Sequence, residues 1–110
     1  MSSVFPEPVL NLPEADISLE GAKAYLSQGE DYQIIFMEFE KNVEVPEHSH
    51  GSQWEIVLEG KVDYWEDGVK QTFRKGDRFF IQKGKKHHAK VYAGYASIVL
   101  FNQKERYKRK

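Results

Sequence analysis

The four histidines of this 110-residue chain fall into two clusters, His48-Ser49-His50 and His87-His88. Histidines placed for unrelated structural reasons would scatter, so paired clusters point to a shared ligand. In extended backbone, residues i and i+2 project to the same face, and His48 and His50 can therefore present both imidazoles to one ion. Gln53 and Glu55 follow and share a face with each other, and His87 opens a later extended run from which it can approach the same point. Neutral imidazoles with one carboxylate or amide oxygen, and positions left open for water or substrate, form the ligand set of divalent Mn, Fe, Ni, Cu or Zn. A divalent transition metal is the expected cofactor.

The rest of the composition narrows the chemistry further. With no Cys, a disulfide framework, a thiolate nucleophile and a zinc–thiolate site are all excluded. Lys and Arg number 16 against 17 Asp and Glu, a formal net charge of −1, which argues against wholesale nucleic-acid binding. Apolar residues make up 40% of the chain and aromatics 14%, enough for one domain of this size to bury roughly two-thirds of its unfolded surface. No apolar run approaches the ~20 residues of a bilayer span, and the start Met1-Ser2-Ser3-Val4-Phe5-Pro6 lacks the basic and apolar regions of a signal peptide. A cytoplasmic protein with no membrane contact is expected.

The elements that must position these side chains read as strands. Turn residues recur at short intervals, and between them the chain alternates apolar and polar or runs β-branched and aromatic. Tyr32 to Glu40, Gln53 to Glu59, Lys61 to Glu66, Val69 to Arg74, Arg78 to Gln82, His87 to Ala93 and Tyr95 to Asn102 are the expected strands. Asp67-Gly68 is the strongest hairpin signal, because a type I′ turn needs positive φ at both central residues. Only Leu19 to Leu26 suggests a helix, and Gly21 weakens it. Many short strands with tight turns predict an all-β closed sandwich or barrel, since closure removes exposed sheet edges. Residues 1–15, with Pro6, Pro8 and Pro13, are expected to be extended, along the domain or across a partner. Residues 16–103 form the domain, and the basic tail 104–110 is expected to be a frayed, solvated end.

Placed on this scaffold, the two histidine clusters resemble the paired motifs of the cupins. The first motif is a Gly, five residues, His-x-His, three or four residues, Glu, six residues, Gly. Asn42 stands at the first Gly position, an exchange tolerated because Asn also accepts left-handed backbone angles. His48-Ser49-His50 follows at the right distance, and Ile56-Val57-Leu58-Glu59-Gly60 closes the motif. Counting back from Gly60 lands on Gln53, whereas counting forward from His50 lands on Glu55. The register to Gly60 favours Gln53 as third ligand, with Glu55 as an alternative ligand or a catalytic base. The second motif runs from Gly76 to His87 with Gln82 in the usual Pro position, which makes His87 the fourth ligand and His88 a neighbour on the opposite face.

The resemblance covers about residues 33–102 and implies a small jelly-roll β-barrel (double-stranded β-helix) with a divalent metal near its axis, commonly as a homodimer. Three imidazoles with a neutral amide would leave the ion its full charge, which suits Lewis-acid isomerase, cyclase or lyase chemistry on a keto or uronic sugar. Some small cupins with this ligand set act on unsaturated uronates. Lys83, Lys85, Lys86 and Lys90 flank His87 and are expected to draw in an anionic substrate, with Lys85, Tyr64 and Phe79 as candidate substrate contacts. Aromatics at strand parity, Trp54 and Trp65 among them, serve more often as core. The competing readings are a small-molecule binding or sensing barrel without catalysis, an iron-type oxygenase, and a structural dimer with a vestigial site.

Overall fold

The computed structural model describes residues 3–110. One helical turn, α1 (Glu7–Leu10), precedes nine strands: β1 (Ala22–Gln28), β2 (Gln33–Phe39), β3 (Val43–His48), β4 (Gln53–Glu59), β5 (Lys61–Glu66), β6 (Val69–Arg74), β7 (Arg78–Ile81), β8 (His87–Val91) and β9 (Ala96–Phe101). They build two antiparallel sheets, one ordered β1-β2-β9-β4-β7 and the other β3-β8-β5-β6. The period-two pattern in β2 shows why these sequences pair. Gln33, Ile35, Met37 and Phe39 are buried between the sheets, and Ile34, Phe36 and Glu38 face outward. Ile35, Met37 and Phe39 form the main core with Leu26, Val57, Val62, Val91, Val99 and Phe101.

The tightest turns follow from residue type. Asp67 and Gly68 have φ of 53° and 74°, the two positive values of a type I′ turn, so β5 and β6 close into the expected hairpin. At Gly60, φ is 76° and a Cβ would lie 2.8 Å from Tyr95 Cα. Only glycine satisfies both conditions there.

Four sequence expectations are corrected. The Leu19–Leu26 segment is not a helix: Gly21 turns the chain at φ 89°, and Ala22 onward pairs with β2. Within the described part of residues 1–15, Pro6 caps α1, where a missing N–H costs nothing. Phe5, Val9 and Leu12 then pack against Tyr25, Phe36 and Ile98 on the outer face of the chain's own five-stranded sheet; Met1 and Ser2 lie outside the described residues. Asn42 is not left-handed, since Asp67 alone among the described non-glycine residues has positive φ. Its side-chain oxygen instead accepts the Ala93 N–H at 2.8 Å.

The basic tail is also docked rather than frayed. Gln33, 1% exposed, grips Tyr107 from both sides, donating from Nε2 to its carbonyl at 2.8 Å and accepting its N–H at 3.0 Å. Asp16 N–H donates to the Lys108 carbonyl and Lys110 N–H to the Glu14 carbonyl. Arg106, Tyr107 and Lys108 thereby line one side of the space between the sheets.

Candidate metal centre

The site lies at one end of that space, where β3, β4 and β8 converge. Pro46 cannot donate a ladder hydrogen bond, and β3 is an edge strand that shifts register against β8 between Val45 and His48. The irregularity sets His48 directly opposite His87. His50 sits in the following loop. The ring centroids are 4.3 Å apart for His48–His87, 4.9 Å for His50–His87 and 5.1 Å for His48–His50.

Each imidazole is oriented by the backbone. Nδ1 of His48 meets the Pro46 carbonyl at 2.8 Å, that of His50 the Gly51 carbonyl at 2.7 Å, and that of His87 the Lys85 carbonyl at 2.9 Å. A carbonyl only accepts, so in each case Nδ1 carries the proton and the neutral ring leaves Nε2 as a lone pair. The same arrangement is how protein metal sites fix their histidines.

Burial pushes all three pKa values below the ordinary 6.5, that of His50 to about 4, with the Arg106 charge adding to the effect. The rings are therefore neutral and ligand-ready at pH 7.

A transition-metal ion fits this donor set. The three ligand atoms lie within 4.8 Å of one another, and nitrogens bound tetrahedrally at about 2.1 Å are roughly 3.4 Å apart. The widest pair needs to close by at most about 1.4 Å, which side-chain rotation of the imidazoles covers.

Gln53 and Glu55 begin β4 on its inward face, and both are buried. Gln53 Nε2 donates to Glu55 Oε1 at 2.7 Å, which commits the amide nitrogen of a side chain that lines the cavity and leaves Oε1 as its acceptor. The other Glu55 oxygen accepts from the Tyr95 hydroxyl. Burial raises the Glu55 pKa against the lowering effect of these donors, and it raises that of Tyr95 well above its ordinary value. Ser97 Oγ, fully buried beside both, makes no hydrogen bond of good geometry. Both oxygens of the carboxylate expected as ligand or base are thus engaged, and it orients its two neighbours.

A cavity of about 510 Å³ opens onto the cluster; the three histidines, Gln53, Glu55, Tyr64, Phe79 and Tyr95 line it with core aliphatics, and Asp16, Ser18, Arg106, Tyr107 and Lys108 complete its wall. Tyr64 is 5.7 Å from both His87 and Phe79, centroid to centroid, and its hydroxyl donates to Glu66 at 2.5 Å. Lys85 is not brought to this wall. Its ammonium pairs with exposed Asp67 at 3.1 Å, and its contribution to the site is the carbonyl that orients His87. His88 stacks on Trp65 at 4.8 Å, away from the cluster. Trp54 is 40% exposed on the outer face.

Sequence reading missed Tyr95 and Arg106. Tyr95 shares inward parity with Ser97, Val99 and Phe101, a signal available in the pattern. Arg106 has no local signal, because only the docking of the tail brings it here.

An antiparallel two-sheet barrel carrying a His-x-His pair and a third histidine at one mouth defines a class of metal-site barrels. The family model described as Cupin domain matches residues 35–97, and the chain belongs to that family. A search of curated proteins finds no match. Among solved structures it is similar to an RmlC-like cupin from Shewanella frigidimarina, at 27% identity and TM-score 0.76 over 96% of this chain and 94% of that one. KdgF from Halomonas sp. is similar at 20% identity and TM-score 0.71, over 84% and 88%. Bacillus subtilis oxalate decarboxylase, described for its Mn(II) centres, shares the fold at 16% identity and TM-score 0.69; the match spans 84% of this chain but 28% of the enzyme.

Proposed function

We propose that this cupin is a metal-dependent enzyme of the isomerase, cyclase or lyase type acting on a small, anionic, sugar-like metabolite. The observation that carries the reading is the donor set itself. Three imidazoles with backbone-fixed Nδ1–H groups converge beside an amide whose nitrogen is tied to Glu55, at the end of an open cavity. In this reading His48, His50, His87 and Gln53 Oε1 hold the ion, and all four ligands are neutral. A divalent ion so bound keeps its full charge and supplies Lewis-acid polarisation of a substrate oxygen.

The chain's own residues supply the rest. Phe79, Phe101 and Tyr107 exclude water from one side of the cavity, and Tyr64 presents a ring face beside His87. Glu55 is a positioning residue that fixes which atom of Gln53 faces the site. The Mn(II) centres of the oxalate decarboxylase fold-relative support a first-row ion and an acidic substrate as starting points.

The test is turnover. Protein loaded separately with Mn, Fe, Ni or Zn is incubated with a panel of keto acids, unsaturated uronates and their neutral analogues, and products are followed by NMR. Conversion of an acid that requires both metal and His87 supports the proposal. Saturable binding of panel members with no conversion under any loading would replace it with a non-catalytic binding barrel.

A further inference from the structure

Among the described residues, Arg106 is a charged group in the cavity that the fold leaves unanswered. Its Nε is fully buried and makes no hydrogen bond. The ion pairs of the described chain join Lys23 to Glu14, Lys41 to Glu20, Lys70 to Asp63, Lys75 to Glu59 and Lys85 to Asp67, and none includes Arg106. Aromatic rings flank it instead: the guanidinium carbon lies 4.4 Å from the centre of the Tyr107 ring and 5.6 Å from that of Phe101. Aromatic contact stabilises a guanidinium cation without using its N–H donors, which stay available for hydrogen bonding.

The position is fixed rather than accidental. Tyr107 next to it is clamped by Gln33, and Gln28 Nε2 donates to the Lys104 carbonyl at 2.9 Å on the other side. Arginine cannot shed its charge by losing a proton, and a buried donor without a partner is costly. A protein that holds such a group beside a cluster of metal-type ligands is prepared for an incoming acceptor.

Charge balance points the same way. A divalent ion on the histidines, the Arg106 guanidinium and the Lys108 ammonium together bring four positive charges to the cavity, against the two carboxyls of Asp16 and Glu55. A neutral ligand would leave that excess in a low-dielectric site, whereas an anion would offset it.

We propose that Arg106 is the anion-recognition residue of the cavity, its N–H edge binding a carboxylate of the ligand whose other oxygens reach the His48–His50–His87 cluster. The proposal rests on the reading of this cavity as a ligand site beside a metal. It assigns to the docked C-terminal tail the role that sequence reading gave to Lys85 and its neighbours. A carboxylate matches the planar fork of a guanidinium in two parallel hydrogen bonds.

The experiment uses metal-loaded full-length protein labelled with 15N, wild type against Arg106→Gln and Arg106→Lys, with the exposed Arg78→Gln as control. The probes are glucuronate, neutral methyl glucoside and inorganic phosphate, followed by the Arg106 Nε–H resonance and by calorimetry, with metal content measured on every sample. Glucuronate should move the wild-type resonance and bind at least about tenfold more tightly than methyl glucoside. In Arg106→Gln the two should bind within about twofold of each other, and Arg106→Lys should fall between. Arg78→Gln should behave as wild type.

A resonance unmoved by glucuronate overturns the proposal, and so does an acid preference that survives in Arg106→Gln. Phosphate moving the resonance where glucuronate does not overturns the carboxylate assignment. Wild type that binds no metal yet prefers the acid strikes the metal reading alone; full metal with no acid preference strikes the Arg106 proposal alone.

Discussion

Single residues at the site act through the atoms they orient. If Glu55 matters by tying the Gln53 amide, Glu55→Ala should weaken metal binding by about 10–100-fold, the usual cost of losing an orienting partner. Glu55→Gln, which can still accept from Gln53 Nε2, should keep most of the affinity; equal losses in a competition titration with a chelator would count against the orienting role. The pH response has a definite sign. The folded state holds His48, His50 and His87 below their unfolded value of 6.5, His50 at about 4. Unfolding therefore takes up protons as pH falls below about 6.5, and the metal-free protein loses stability from there toward pH 4. Glu55 works the other way, since its raised pKa contributes stability at low pH that is lost as pH rises through the folded value. Metal-free Glu55→Gln lacks that opposing effect, so its melting temperature should fall more steeply than wild type between pH 6.5 and 4.5. Parallel profiles would contradict the assignment. The histidine clusters and the Gln53/Glu55 pair were legible in the sequence because parity and spacing are local. Their tautomers were not, since the carbonyls of Pro46, Gly51 and Lys85 that select them are fixed only by the folded backbone.

Elements matter here through what they hold in place. Strands β4, β5 and β6 have the very bounds that alternation and the Asp67-Gly68 turn indicate, because a hairpin is specified by neighbouring residues. Strands β1 and β3 escaped the pattern. Gly21 interrupts the approach to one and Pro46 sits inside the other, and both are tolerated only through a long-range partner, β2 in one case and β8 in the other. The tail is the extreme case: composition made 104–110 a solvated end, while Gln33, 74 residues away from Tyr107, ties it down. Gln33→Ala removes both hydrogen bonds to Tyr107 and should cost about 2 kcal/mol, chiefly from stranded backbone groups. Limited proteolysis should then cut first within 103–110. Cleavage elsewhere first would show that the tail is held by something other than Gln33.

The whole molecule couples the site to the fold. The His48–His87 pair ties β3 to β8, and the Gln53–Glu55–Tyr95 chain ties β4 to the turn before β9, so the four proposed ligands draw on both sheets. A ligand bound only by the folded state stabilises it by mass action, about 2.7 kcal/mol at a hundredfold excess over Kd. Metal should therefore raise the melting temperature, and the increment should vanish in His48→Ala. An equal increment in that variant would place the ion elsewhere. Among the described residues no helix is long and apolar enough to cross a membrane, and the sequence's all-β barrel holds. The central claim is that His48, His50, His87 and Gln53 hold one transition-metal ion, and elemental analysis of protein prepared without chelator addresses it most directly. The account predicts close to one first-row metal per chain in wild type, none in His48→Ala or His87→Ala, and a reduced content in Gln53→Ala. Wild type that stays metal-free after incubation with Mn, Fe, Ni and Zn salts, or His87→Ala that keeps its full metal, would contradict it.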